Sequence, residues 1–421
     1  MTGLRNNPRS VVSPLADSKR SWPLFYFIFC AIVSILIGAY FRSAGYDRMQ
    51  TDSDAAYFFD ITSSFFMLHV DPGNENIGPI YLWATLYRVL NQIGIKPDPL
   101  WGILINAAMV VAALHIFFRY ACRLYALTAT ETKWLALLLG SNGVLMMSAG
   151  LHLRDSFLIL LTTLTVVLYG RPLNQWPIHF PASRLLAVAV LAYLSYLCRV
   201  EGFIVPILVA MVATYAFGMR QLDAKFRLVG LVFGGGALLF AYTQIPDLRE
   251  TYFTYVERNF ESYRGLSENE SDASSISVYL LYQLPPYLSV VFSSIQMLFI
   301  KVPAWREIGR GSYDLYMSLA AIQMLVVAPL AMSTMLASIY RKYSNGVSFH
   351  VLATLVLLLV VSLTSIQVRH FAVVYPSLML LAVLWRRETK GKNEVFSVVF
   401  AISLGLLVGL LNVYIGLASV F

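Results

Sequence analysis

Residues 22–41 read WPLFYFIFCAIVSILIGAYF, a run without a single charged side chain. A helix needs about 20 apolar residues to cross the hydrocarbon core of a membrane, so this run predicts a membrane-spanning helix. The stretch before it is polar and basic, and no small-residue cleavage site follows it. These features indicate a retained first helix rather than a cleaved signal peptide.

The same apolar character extends over the whole chain of 421 residues, of which 58% are hydrophobic and 13% are charged. Such a composition is not that of a soluble domain with a charged surface. We expect a single integral membrane domain over residues 1–421, an all-α polytopic protein with about 11 transmembrane helices. The apolar runs lie near 22–41, 99–118, 134–150, 156–170, 185–198, 202–218, 228–245, 313–340, 347–366, 370–385 and 395–418.

The distribution of charge predicts how these spans are oriented. With the N-terminus inside and the C-terminus outside, most Lys and Arg residues fall on the cytoplasmic side, as the positive-inside rule requires. Two long outer loops then remain, 42–98 and 246–312, and we expect both to carry short interfacial helices. The run 284–301 is apolar enough to cross, but a crossing there would place the basic residues at 386–392 outside. We therefore interpret it as interfacial or re-entrant.

The first outer loop contains a group of carboxylates in the sequence TDSDAAYFFD, residues 51–60. If residues 57–67 form a helix, Asp52 and Asp54 lie at its N-terminus, where the helix dipole favours anions and where Asp commonly caps the chain. Capping is therefore one interpretation. The other is chemical, because a carboxylate can take a proton from a hydroxyl group or hold a divalent cation near a phosphate.

Three short outer turns also carry charge. Interfacial arginines often extend their head groups to water or pair with a nearby carboxylate, which is a structural interpretation of these turns. Arginine also presents a planar set of donors that suits phosphate oxygens. Because the turns share one face of the membrane, we expect their side chains to form one site. They are His152-Leu153-Arg154-Asp155, Arg199-Val200-Glu201-Gly202 and Arg369-His370.

Several motifs follow one another in an order that resembles a known family. They are Asp54-Ala55-Ala56-Tyr57, Gly78-Pro79-Ile80-Tyr81, Asn106, Leu153-Arg154-Asp155, Arg199-Val200-Glu201-Gly202, and Arg369-His370-Phe371 with Pro376. In this order the chain resembles the multi-spanning GT-C glycosyltransferases, especially the bacterial family 39-like and dolichyl-phosphate-mannose mannosyltransferase-like enzymes. It departs from their pattern in having Asp-Ser-Asp rather than Asp-Glu, and Val200 in place of a proline.

The resemblance implies hexosyl or pentosyl transfer at the outer face of a bacterial inner (plasma) membrane, in cell-envelope or exopolysaccharide glycan synthesis. The expected partners are a polyprenyl-phosphate sugar donor, a glycan or lipid acceptor and membrane lipid, with no nucleic acid. Asp54 is the expected catalytic base, and Asp52 its helper or, with Asp54, the ligand of a possible divalent cation. The expected donor-binding residues are Tyr57, Arg154, Asp155, Arg199, Glu201, Arg369 and His370.

Two other functions remain open on the same residues. A polysaccharide repeat-unit polymerase of the Wzy type shares the chemistry but relies on arginines rather than on Asp54. A lipid-linked sugar flippase is the non-enzymatic alternative, and it would line a central cavity with charge along its depth. Most charges in this chain lie near the ends of the predicted spans, which favours an enzyme.

Overall fold

The computed structural model describes residues 21–43, 52–68, 77–171, 181–218, 312–340, 345–364 and 368–388, with short pieces at 395, 398–400, 402–407 and 410. Every element in these ranges is helical, and they contain no strand. The α-helices are α1 (Trp22–Ser43), α2 (Asp52–Leu68), α3 (Ile77–Gln92), α4 (Pro99–Tyr125), α5 (Ala129–Gly140), α6 (Gly143–Gly150), α7 (Asp155–Tyr169), α8 (Pro181–Cys198), α9 (Ile204–Ala213), α10 (Ser312–Tyr340), α11 (Asn345–Thr364) and α12 (Tyr375–Glu388). Val200–Phe203 and Val368–Val373 are 3-10 turns, and Thr214–Gly218 is a π-helical turn.

Within the described ranges, three helices are long and apolar enough to cross a membrane, through the segments Trp22–Phe41, Pro99–Tyr125 and Leu315–Ala337. Helices α7, α8, α9 and α11 are also apolar but shorter. The expected all-helical fold is confirmed, and the apolar helices fit a membrane protein. The number of eleven spans stays a prediction, because the run at 228–245, most of the second outer loop and much of 395–418 lie outside the described residues.

The apolar run near 134–150 is not one continuous helix, because the helix breaks between α5 and α6 at Ser141 and Asn142. Asn142 caps α6 by accepting a hydrogen bond from the Leu145 amide at 3.0 Å. Its Nδ2 donates to Oε1 of Gln323 on α10 at 2.6 Å, and Gln323 Nε2 donates to the Leu138 carbonyl at 2.7 Å. The break is therefore held by polar contacts between distant parts of the chain, as buried polar groups require.

Close approach of α1, α6 and α10 depends on small residues. A methyl group at Gly143 would overlap the Tyr316 carbonyl, so only glycine lets these two backbones approach as they do. Ser34 on α1 donates to the Met146 carbonyl at 2.5 Å, and the Tyr316 hydroxyl donates to the Ser34 carbonyl at 2.7 Å. Small residues and hydroxyl contacts of this kind are typical of helix packing in membranes, where the hydrophobic effect between helices is weak.

The exposed side of α1 is apolar. Its large exposed side chains recur every three or four residues, which places them along one side of the helix. They are Phe25, Phe29, Ile32, Leu36 and Tyr40. A stripe of this length would be unfavourable in water, and it is the surface that contact with lipid requires.

Helix α3 lies in the first outer loop, 42–98, where we expected a short interfacial helix. Its buried face consists of Ile80, Trp83, Ala84 and Tyr87, spaced as one side of an α-helix. Tyr81 and Leu82 are exposed on the other side. The amphipathic helix is therefore present, and its buried face packs towards the turn that follows α6.

Candidate functional site

Three turns of the chain meet at one buried position between the helices. They are the turn that joins α6 to α7, Arg199 after α8, and the 3-10 turn before α12. A cavity of about 40 Å³ lies where they meet, and its polar lining includes Asp155, Arg199, Arg369 and His370. One water molecule needs roughly 10–15 Å³, so this volume suits a few waters and is too small for a sugar ring. The described cavity alone therefore does not hold a sugar.

Asp155 is the first residue of α7, and its side chain is buried, with a relative exposure of 4%. Its Oδ2 lies 4.0 Å from Arg369 Nε, and its Oδ1 lies 3.8 Å from His370 Nε2. Both separations are longer than a hydrogen bond, so the contact between Asp155 and the Arg369 guanidinium acts through charge. The N-terminus of α7 further favours a negative group at this position.

Arg199 is buried where α8 ends, with a relative exposure of 7%. Its amide donates to the Ser195 carbonyl at 2.9 Å, and its own carbonyl accepts from the Gly202 amide at 2.8 Å. A Cβ at Gly202 would lie 2.7 Å from the Ser195 carbonyl oxygen, so the turn needs glycine there. These contacts fix the backbone of the turn and hold a guanidinium group at the cavity, where a buried cation calls for anionic partners.

His370 lies in the 3-10 turn and is also buried. Burial lowers the pKa of His370 well below its usual value, and the positive charges of Arg199, Arg369 and Arg154 lower it further. The imidazole is therefore neutral at neutral pH, and its contact with Asp155 is then a polar contact rather than an ion pair. All three arginines therefore act on this ring through their charge, and two of them, Arg199 and Arg369, also line the cavity.

The balance of charge at this position is positive. Among the described side chains, Arg154, Arg199 and Arg369 contribute three cations and Asp155 contributes one carboxylate. A buried guanidinium group presents a fixed set of N–H donors that suits the oxygens of a phosphate or carboxylate. The arrangement is therefore suited to an anion that enters from outside the protein.

We call Arg154, Arg199 and Arg369 the arginine cluster. Through Arg154 this cluster also contacts the first outer loop. The Arg154 guanidinium lies over the ring of Phe58 on α2, 5.5 Å from its centroid, a distance at which a cation is attracted to an aromatic face. Phe58 in turn packs against Trp83 on α3, with their ring centroids 6.2 Å apart. Helices α2 and α3 are thus joined to the turn that carries Arg154.

The turn before α7 is braced from two sides. Asn106 on α4 donates through Nδ2 to the Leu151 carbonyl at 2.9 Å and to the Leu153 carbonyl at 2.8 Å. Between these carbonyls, the buried His152 side chain shares a hydrogen bond of 2.9 Å with the Tyr87 hydroxyl. Backbone and side-chain contacts together fix the segment from which Arg154 and Asp155 extend.

The remaining predicted site residues are placed only in part. Tyr57 is exposed on α2 and does not line the cavity. The backbone of Asp52 and Asp54 lies in the first turn of α2, which begins five residues earlier than we expected, and Glu201 lies in the 3-10 turn after Arg199. The side chains of these three residues lie outside the described part of the structure.

The described residues do not include a set of ligands for the expected divalent cation. Among the described residues, no three His, Cys, Asp or Glu side chains come together as a metal-binding group. The side chains of Asp52 and Asp54, the expected ligands, lie outside the described residues.

Sequence reasoning missed the residues that brace the turn, namely Tyr87, Trp83 and His152. Asn106 was noticed only as part of a motif. A polar side chain inside an apolar run is the signal that could have marked Asn106 as structural, because such a residue needs a buried partner. Tyr87 gives no comparable signal, since an aromatic residue is common in an amphipathic helix near a membrane.

Comparison with protein-family models, curated proteins and solved structures gave no match to this chain. The fold and the composition together define the class as a helical membrane protein. The buried arginine, aspartate and histidine side chains are its candidate functional site.

Proposed function

We propose that this chain is a GT-C-type glycosyltransferase, which transfers a hexose or pentose from a polyprenyl-phosphate-linked sugar at the outer face of a bacterial inner membrane. The observation that carries the proposal is the meeting of Arg199, Arg369 and Asp155 at one buried cavity, with Arg154 acting on the same His370 ring. Buried charge between apolar helices is costly, and it is retained where it serves a pathway or a site.

The arginines suit the chemistry of the leaving group. In the proposed step the acceptor hydroxyl oxygen attacks the anomeric carbon, and the bond from that carbon to the phosphate oxygen breaks. The electron pair of that bond leaves with the polyprenyl phosphate, so negative charge grows on the phosphate as the bond stretches. Guanidinium groups held in a buried site stabilise this charge more strongly than water does, because their positions are already fixed.

The proton of the acceptor hydroxyl requires a base, and Asp54 is our candidate. Position 54 precedes Phe58 by one turn of α2, and Phe58 contacts Arg154. This relationship brings the first turn of α2 towards the arginine cluster. Asp52 is the candidate helper or cation ligand, while Glu201, His370 and Tyr57 are candidates for contacts with the lipid-linked sugar.

The proposal includes the orientation of the protein, with eleven spans, the N-terminus inside, and residues 42–98 and 246–312 outside. It is tested by labelling single cysteines placed at Ser271 and at Thr389 in intact cells. The native Cys30, Cys122 and Cys198 are first replaced by alanine. A membrane-impermeant thiol reagent should react at position 271 and not at position 389. Labelling at 389 alone would overturn this orientation.

The activity is tested by following the release of polyprenyl phosphate from a polyprenyl-phosphate sugar by the purified full-length protein. Asp54→Asn should lower turnover by roughly 10²- to 10⁴-fold, the range for loss of a general base. Arg199→Lys keeps the charge but loses the paired donors, and it should mainly raise the donor KM. Asp60→Asn, on the exposed face of α2, is the matched control and should leave turnover unchanged.

A second candidate function is a repeat-unit polymerase of the Wzy type. It is favoured by one observation, the excess of arginine over carboxylate among the described side chains at the cavity. For such an enzyme the order of severity reverses: Asp54→Asn should have near-normal turnover, whereas Arg154→Lys, Arg199→Lys or Arg369→Lys should be severely impaired. The two candidates are therefore distinguished by one set of variants.

A further inference from the structure

We infer that His152 and Tyr87 are positioning residues, which act together through their mutual hydrogen bond to hold Arg154 and Asp155 in place. The place is the cavity lined by Asp155, Arg199, Arg369 and His370, which we call the anion site. The inference rests on the proposed function for what the site binds. It concerns two side chains that hydrogen-bond to each other and do not line the cavity.

The His152 ring is enclosed by side chains of other elements. Its ring centroid lies 4.0 Å from that of Trp83 on α3 and 6.1 Å from that of Phe59 on α2. A methyl group at Gly102 on α4 would overlap the imidazole, so the ring fits into a space that glycine leaves open. Within this enclosure, His152 Nε2 and the Tyr87 hydroxyl share a hydrogen bond of 2.9 Å.

This enclosure acts on the site because of where His152 stands in the chain. Arg154 and Asp155 follow within three residues, and the turn between α6 and α7 consists only of residues 151–154. Asn106 holds the backbone carbonyls of Leu151 and Leu153, on either side of His152. The His152 side chain adds a third point of attachment, and it is the one that connects the turn to α3.

Through His152, the position of α3 is coupled to the position of the anion site. Trp83 and Tyr87 belong to the buried face of α3, and both contact His152. A shift of α3 therefore moves the imidazole, and with it the backbone from which Arg154 and Asp155 extend. Losing the hydrogen bond leaves a buried polar atom without its partner, which favours a displaced turn.

The experiment uses the full-length protein in lipid nanodiscs, with a polyprenyl phosphate as the binding probe. Tyr87→Phe and His152→Phe should each weaken its binding about tenfold. Since both remove the same hydrogen bond, the double variant should be no weaker than the worse single variant. His152→Gln, which keeps a polar atom able to reach the Tyr87 hydroxyl, should restore binding in large part. Tyr81→Phe, on the exposed face of α3, is the matched control and should bind normally.

A second readout needs no ligand. Tyr87→Phe should speed amide hydrogen exchange in residues 151–157 relative to Tyr81→Phe, whatever the site binds. If Arg199→Gln binds polyprenyl phosphate normally while Tyr87→Phe still speeds exchange there, the proposed function fails and the positioning role stands. If Arg199→Gln loses binding but Tyr87→Phe alters neither binding nor exchange, the positioning role is overturned. Independent, multiplying losses in the double variant would overturn it as well.

Discussion

The Arg154 guanidinium lies over the Phe58 ring, 5.5 Å from its centroid. This contact joins the helix that begins with Asp52 and Asp54 to the turn that begins α7. The carboxylates and the arginines that were singled out in the sequence therefore belong to neighbouring elements. A site that uses both the carboxylates and the arginines requires these two elements to lie next to each other.

Replacing Phe58 tests the contribution of this contact. Phe58→Leu keeps an apolar side chain but removes the aromatic face, and a cation–π contact contributes about 0.5–1 kcal/mol. We expect polyprenyl phosphate to bind roughly two- to fivefold more weakly, because Arg154 is then less well held. The control is Phe65→Leu on the same helix, because the Phe65 ring packs against Tyr81. Equal affinities in a binding titration of the two variants would argue against a role for the contact.

Asp155 should be necessary for stability as well as for the site. Asp155→Asn removes the charge of the carboxylate that lies 4.0 Å from Arg369 Nε, and loss of one partner from a buried charge pair costs about 3 kcal/mol or more. We expect a clear fall in the midpoint of thermal unfolding. Adding Arg369→Gln to Asp155→Asn should recover part of the loss. The exposed Asp60→Asn should change the midpoint little, and a fall as large as that of Asp155→Asn would point to a general effect of lost charge.

His370 should make stability depend on pH below its ordinary pKa of about 6.5. Burial and the nearby arginines lower its pKa in the folded protein, so between the two pKa values the unfolded chain binds a proton that the folded protein does not. Stability then rises with pH in this window and falls as pH drops below about 6.5, by at most about 1.4 kcal/mol per pH unit.

Measurement of thermal unfolding from pH 7.5 down to about pH 5 checks this sign. The loss of stability on acidification should be smaller in His370→Gln than in the unaltered protein, because the variant has no imidazole to titrate. Equal losses in the two proteins would mean that the pKa of His370 is not lowered by folding.

The helical elements were predictable because apolar runs of this length have few other solutions in a membrane. Each run that falls on the main described ranges contains helix, and α4 and α10 lie close to where they were expected. The break at Asn142 was not predictable from the run around it. It depends on Gln323, which lies far along the chain, and local hydropathy carries no information about such a pair.

The residues of the candidate site likewise include some that the sequence could predict and some that it could not. Arg199, Arg369, Asp155 and His370 could be named from the sequence because charged residues stand out against apolar spans. Their partners could not, since Tyr87 and Trp83 look like ordinary residues of an amphipathic helix. Tyr57 was selected by its place beside the carboxylates, yet the structure puts it on the exposed side of α2.

The central claim is that the arginine cluster binds the phosphate of a lipid-linked sugar. The most direct measurement compares the affinities of the full-length protein in nanodiscs for polyprenyl phosphate and for uncharged polyprenol, with and without Arg199→Gln. We predict that the unaltered protein binds the phosphate at least tenfold more tightly than the alcohol, and that Arg199→Gln removes most of this preference, since a charge-assisted contact contributes about 1.5–3 kcal/mol. Equal affinity of the unaltered protein for the two lipids, or a preference that Arg199→Gln leaves intact, would contradict the claim.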